Sequence, residues 1–179
     1  KPMQQSPVSQ STALIPEAVN AAQESDVVVA CVGDLAGLFQ SGTVGEGSDT
    51  DSLNLPGVQQ QLLEAMVATG KPVIVVMTGG RPYTLQGLED KVAALIVAWA
   101  PGQEGGWAIA DVLTGRAEPQ GRLVVSVPKS AGAMPYYYNH KLKSGGTPFA
   151  FHFGSRYPFG FGLGWTTFRW NAARDRKST

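Results

Sequence analysis

Cysteine is almost missing from these 179 residues: Cys31 stands alone, so no internal disulfide can form, and the redox compartment is left open. Because it lies inside the apolar run Val27-Val28-Val29-Ala30-Cys31-Val32, the thiol is expected in the core, where most free cysteines are found. Histidine is scarce too. His140 and His152 are the only two, and neither has Cys or Glu partners at the spacing of a metal site. No apolar run approaches the roughly 18 residues of a membrane span. A surplus of either charge is also lacking, with 14 basic and 14 acidic residues. That removes the electrostatic case for nucleic acid or an anionic membrane as partner. The opening Lys1-Pro2-Met3-Gln4-Gln5-Ser6-Pro7 has no apolar leader core. It reads as a mature or cut chain in preference to a cytoplasmic start.

What is present is a globular composition, 43% hydrophobic and 16% charged, at a length that supports one domain with its own core. Pro16-Glu17-Ala18-Val19 opens a helix, since proline is tolerated in a first turn and an acid suits it. It leads into the run Val27–Val32 closed by Gly33. The absence of polar alternation predicts a strand buried on both faces, as in a parallel sheet covered by helices. The unit then repeats. After Pro56-Gly57, the apolar stripe Val58, Leu62, Leu63, Met66 predicts a helix ended at Gly70, and Pro72–Met77 a second buried strand. Ala93–Trp99 reads as a third strand, a helix through Trp107, Ala110 and Leu113 stops at Gly115, and Leu123–Val127 reads as a shorter strand ended by Pro128. Alternating strands and helices give an α/β fold, a mostly parallel sheet sandwiched by helices. Residues 129–165 are rich in Gly, Pro, Tyr and Phe without a period and read as a long packed excursion. Tyr136–Tyr138 and Trp165 are expected chiefly as core. Arg174-Asp175-Arg176-Lys177 reads as a tail.

In open α/β sheets, ligand groups gather at the carboxyl ends of the strands. Three segments fall there: Gly33-Asp34 with the connection Leu35 to Leu55, then Thr78-Gly79-Gly80-Arg81-Pro82, and Pro101 to Gly106. A connection of about 20 residues without structure of its own is uncommon in a compact domain and is usually functional. This one carries Glu46, Asp49 and Asp51 and no basic residue. Three readings apply to it: solvated acidic turns, a calcium loop, or a carboxylate for glycoside hydrolysis. The calcium pattern D-x-D-x-D-G is lacking. Glycosidase chemistry needs a carboxyl that protonates a leaving oxygen and then takes a proton from water. A Glu between glycines can reach into a neighbouring pocket. The run Gly102-Gln103-Glu104-Gly105-Gly106 lacks the residues of a phosphate cradle, and Glu104 there suits a helix dipole. No G-x-S-x-G elbow is present, so an esterase would need a serine placed near His140 or His152.

Several strings, in order, resemble glycoside hydrolase family 3 β-glucosidases of the bacterial periplasmic type. They are Lys71–Pro82 with its Gly-Arg-Pro turn; Ala98-Trp99-Ala100-Pro101-Gly102-Gln103-Glu104-Gly105-Gly106 continued by Ala108–Leu113 and Gly115; Pro119–Leu123 and Ser126-Val127-Pro128; Pro135–Lys141; and Tyr157-Pro158-Phe159-Gly160-Phe161-Gly162-Leu163 with Thr166-Thr167-Phe168. The resemblance runs from about Pro16 to Phe168 and is to the family's C-terminal α/β sandwich domain.

That resemblance implies a site shared by two domains. A TIM-like barrel precedes this domain and carries the aspartate nucleophile, and nothing in this chain looks like it. Residues 1–15 would be the linker from the barrel, 16–168 the α/β sandwich, and 169–179 a tail or truncated connection. Gly45-Glu46-Gly47-Ser48-Asp49 matches the Gly-Glu-Gly-x-Asp form of the acid/base loop, which makes Glu46 the general acid/base. Thr50 departs from the Arg that many members carry there. Asp34, where relatives often have Glu, together with Asp49 and Tyr137, are the implied substrate contacts. The implied substrates are β-glucosides or short β-linked oligosaccharides, hydrolysed with retention and with no metal or organic cofactor, in the periplasm or outside the cell. The contrasting expectation is a non-catalytic carbohydrate-binding or scaffold domain of the same fold.

Overall fold

The computed structural model describes residues 8–39, 41–139 and 154–169. Three parallel strands, β1 (Val28–Gly33), β2 (Val73–Thr78) and β3 (Ala94–Trp99), lie in the order β1-β2-β3. The register sets Val28 beside Val73 and Ile74 beside Ala94. The helices are α1 (Ile15–Gln23), α2 (Gln59–Ala68) and α3 (Gly105–Leu113). Pro16 occupies the first turn of α1 and Gly70 follows α2 at φ 75°, as the sequence predicts.

One face of the sheet meets α1 and α2 to form the core. Ala30 and Val32 of β1 and Val73, Val75 and Met77 of β2 join Ala22, Leu63 and Met66, with Leu95 and Val97 of β3 alongside. Strand side chains alternate between faces, and this accounts for the first correction. Val29 is exposed, and so is Cys31, which is not in the core. β1 is an edge strand with only one face in the core cluster, so the alternate positions face outward however apolar the run is. Central β2, by contrast, is buried at Val73, Val75, Val76 and Met77.

The segment Leu123–Val127 is a second correction, for it forms no strand of the sheet. Leu123 N–H donates to the Phe161 carbonyl at 2.8 Å, Gly160 N–H to the Leu123 carbonyl at 2.8 Å, and Val127 N–H to the Tyr157 carbonyl at 2.8 Å. Its backbone is satisfied by the later turn instead, and Val124 stays 69% exposed. The aromatic segment departs from its expectation in the same way. Tyr137, Tyr138 and Trp165 are exposed, and rings pair, exposed Tyr138 with Phe159 and half-buried Tyr157 with Phe161, each at 5.1 Å between centroids. Glu118 holds the end of this region by accepting from the Trp165 and Thr166 N–H groups at 2.9 and 2.7 Å. His140 and His152, on which an esterase reading would depend, lie outside the described residues.

Candidate functional site

β1 ends in a tight corner. Gly33 adopts φ 140°, and a side chain there would collide with the Thr78 carbonyl of β2. The same residue is gripped by α2. Gln59 accepts from Gly33 N–H at 2.6 Å and donates to the Gly33 carbonyl at 2.8 Å and the Pro56 carbonyl at 2.9 Å. Strand end and helix start are thereby pinned together, and Asp34 is the first residue beyond the pin.

Both Asp34 carboxylate oxygens are engaged by the protein. Oδ1 accepts from the Thr43 hydroxyl at 2.8 Å and from the Tyr83 hydroxyl, and Oδ2 accepts from Gly80 N–H at 3.0 Å. Tyr83 is buried, its ring in the core cluster. Burial first, then the hydrogen bond and the negative charge of Asp34, hold its phenol well above the ordinary range.

The long connection folds back on itself instead of lying open. Ala36 and Val44 form a parallel bridge, with Gly37 N–H donating to the Val44 carbonyl at 2.9 Å and Thr43 N–H to the Leu35 carbonyl at 2.7 Å. Glu46 sits on the outer turn of this fold. It is flanked by Gly45 at φ 127° and Gly47 at φ 73°, and its carbonyl accepts from Phe39 N–H at 2.6 Å. A side chain at Gly45 would meet the Gly37 carbonyl, so the position requires glycine for space as well as for backbone angle. The Glu46 side chain is exposed, and among the described residues its carboxylate has no hydrogen-bond or ion-pair partner. Arg81 closes the far side by donating to the Ser48 carbonyl at 2.9 Å.

Beside this turn lies an open pocket of about 360 Å³, whose lining includes Thr43, Ser48, Asp49, Asn54, Arg81 and Tyr83. Asp34, Glu46 and Asp49 thus belong to one loop at the carboxyl edge of the sheet, with Asp49 on the pocket wall. Tyr137 does not line that pocket and is 60% exposed in a separate segment. Glu104 precedes α3 without a side-chain capping hydrogen bond. Among the described residues no group of three His, Cys, Asp or Glu could hold a metal ion. Sequence reasoning did not single out Thr43, Gln59 or Tyr83, and noted Arg81 only as part of a turn. Tyr83 lies 49 positions from the Asp34 it bonds, a separation that spacing does not reveal.

Chemically, the loop offers one carboxylate engaged by the protein, Asp34, and three exposed ones, Glu46, Asp49 and Asp51, without a side-chain partner among the described residues. Of these three, Glu46 is the one held between two glycines of positive φ.

The chain matches known proteins along most of its length. Residues 4–165 match the glycosyl hydrolase family 3 C-terminal domain. The chain is 40% identical over 169 residues to a periplasmic β-glucosidase of Salmonella typhimurium, covering 87% of this chain and 21% of that protein. It is 38% identical to a β-xylosidase of Formosa agariphila, covering 89% of this chain and 22% of that protein. Among solved structures, a β-glucosidase from Erythrobacter marinus superposes with a TM-score of 0.74 at 37% identity, over 86% of this chain and 21% of that one. A Listeria innocua β-glucosidase in complex with gluconolactone gives 0.75 at 30% identity, over 89% and 23%. The chain therefore spans about a fifth of the length of these relatives. On this match of sequence and fold, the chain belongs to glycosyl hydrolase family 3, as its C-terminal domain.

Proposed function

We propose that this domain lends the general acid/base to a retaining β-glucosidase, with Glu46 in that role and the aspartate nucleophile on a TIM-like barrel that precedes it. In this reading residues 1–15 link to the barrel, 16–168 are the α/β domain and 169–179 a tail or onward connection. The observation that carries the reading is the unengaged Glu46 carboxylate, held out between two glycines on a loop anchored to the carboxyl edge of the sheet.

The chemistry proceeds in two steps. The aspartate attacks the anomeric carbon as the glycosidic C–O bond breaks, and protonated Glu46 gives its proton to the departing oxygen. Glu46, now a carboxylate, takes a proton from water, whose oxygen displaces the aspartate and releases the sugar with its configuration retained. Retention requires the two carboxyl groups about 5–5.5 Å apart, so the Glu46 turn must dock over the barrel mouth. Asp49 on the pocket wall is suited to accept hydrogen bonds from sugar hydroxyls, and Tyr137 offers an exposed ring outside that pocket. The substrates are β-glucosides or short β-linked oligosaccharides. The glycone is selected by the barrel, in keeping with a xylosidase and glucosidases among the relatives. The name of the Salmonella relative supports a periplasmic or secreted setting, and among the described residues no helix is long and apolar enough to cross a membrane.

The test is Glu46→Ala in the enzyme that contains this chain, assayed on an aryl β-glucoside with a good leaving group. The expected result is a fall in kcat of about 10²- to 10⁴-fold, the usual contribution of an acid/base group. Azide should restore turnover and yield the β-glucosyl azide. Unchanged turnover would move the acid/base role to another carboxylate.

A further inference from the structure

The turn that follows β2 touches the Glu46 loop on both sides of the glutamate. On the amino side, Thr43 is bonded to Asp34, which is itself bonded by the Tyr83 hydroxyl and Gly80 N–H. Val44 lies where a Gly80 side chain would stand, and the Asp34 carboxylate where a Gly79 side chain would. On the carboxyl side, the Arg81 guanidinium takes the Ser48 carbonyl at 2.9 Å. The turn is fixed in its own right, because Gly79 N–H donates to the Trp99 carbonyl of β3 at 2.9 Å and the Tyr83 ring is in the core.

We propose that Asp34 and the Gly79–Tyr83 turn form a two-point seat that sets the position of Glu46, with Tyr83, Thr43 and Arg81 as positioning residues for the acid/base. The proposal rests on the reading of Glu46 given above. Thr43 and Ser48 are the residues on either side of Glu46 whose bonds reach Asp34 and the Gly79–Tyr83 turn, and the short span between them, tied otherwise only to its own loop through the Gly37–Val44 and Phe39–Glu46 backbone bonds, carries the carboxylate. Asp34 and the Gly79–Tyr83 turn follow directly on the ends of β1 and β2 in the packed sheet, and side chains held by regular elements keep catalytic geometry better than loops alone. Losing one anchor lengthens the free span and lets the carboxylate wander. A displacement of about 1 Å can cost on the order of 10²-fold in rate. Arg81 suits the second anchor because a charged donor holds a carbonyl more strongly than a neutral one.

The experiment compares Tyr83→Phe, Thr43→Val, Thr43→Ser and Glu46→Ala in the full-length enzyme, on a β-glucoside with a poor alkyl leaving group and on the dinitrophenyl β-glucoside. The alkyl substrate needs a proton donated to its oxygen, and the dinitrophenyl one does not. Tyr83→Phe and Thr43→Val should lower kcat/KM on the alkyl glucoside by about 10- to 100-fold while leaving kcat/KM on the dinitrophenyl glucoside within about twofold. Thr43→Ser, which keeps the hydroxyl, should restore the alkyl activity. Adding Tyr83→Phe to Glu46→Ala should cause no further loss, because residues that act as a unit are not additive. Equal losses on both substrates would mean a merely structural role and overturn the seat. No loss in either Tyr83→Phe or Thr43→Val, with Glu46→Ala still dependent on leaving group and rescued by azide, would overturn the seat alone. A Glu46→Ala variant lacking both signatures would remove the acid/base reading and the seat with it.

Discussion

At the scale of single residues, the site depends on two kinds of constraint, absent side chains and shared hydrogen bonds. Gly45 illustrates the first: its φ of 127° and the Gly37 carbonyl at its α-carbon leave no room for a methyl group. Gly45→Ala is expected to cut turnover of the intact enzyme at least about tenfold, a rise of at least about 1.4 kcal/mol in the barrier, with its thermal midpoint nearly unchanged because the loop lies outside the core cluster. Steady-state kinetics beside a melting curve checks both halves. Tyr83 illustrates the second. Its phenol is held above the ordinary value of about 10, so above that pH the folded protein keeps a proton that the unfolded chain gives up. The stability from this group is complete below about pH 10 and is lost as pH rises above it, since the unfolded state there binds fewer protons. Denaturant unfolding measured across the alkaline range should show this fall, and Tyr83→Phe should flatten it.

At the scale of elements, stability lies where α1 and α2 cover β1, β2 and β3. Leu63 of α2 has no exposed surface and sits among Met66, Val73 and Val75 in that layer. Leu63→Ala should destabilise the domain by about 2–5 kcal/mol, the range for a buried leucine that leaves a partly collapsed cavity, and the drop in the denaturation midpoint measures it. These elements were legible in advance because each rests on local information. Pro16 can start a helix, Leu62, Leu63 and Met66 fall on one helical stripe, and the β-branched run of β2 suits a central strand. Cys31 and Leu123–Val127 were not legible, because the same apolar pattern describes a central strand, an edge strand and a segment paired with a distant turn. Which of these forms depends on neighbours that local periodicity does not name.

At the scale of the whole molecule, the domain is about a fifth of the length of its relatives, and the proposed chemistry needs a nucleophile from elsewhere. The chain purified by itself should therefore release no nitrophenol from an aryl β-glucoside above the uncatalysed rate, and turnover by the isolated domain would sink the two-domain mechanism. The Gly45-Glu46-Gly47 string, the Gly-Arg-Pro turn and the order of the motifs were determined by the sequence alone, as were β1 to β3 and α1 to α3 though not the pairing of Leu123–Val127, since all of these are properties of neighbouring residues. The tertiary structure decided the rest. It brought the Asp34 carboxylate to Tyr83 across 49 positions, closed Arg81 onto Ser48, and left Glu46 without a partner among the described residues. It also turned Val29 and Cys31 outward. Those outcomes belong to contacts between segments far apart in the chain, and such contacts exist only once the strands have taken their order in the sheet.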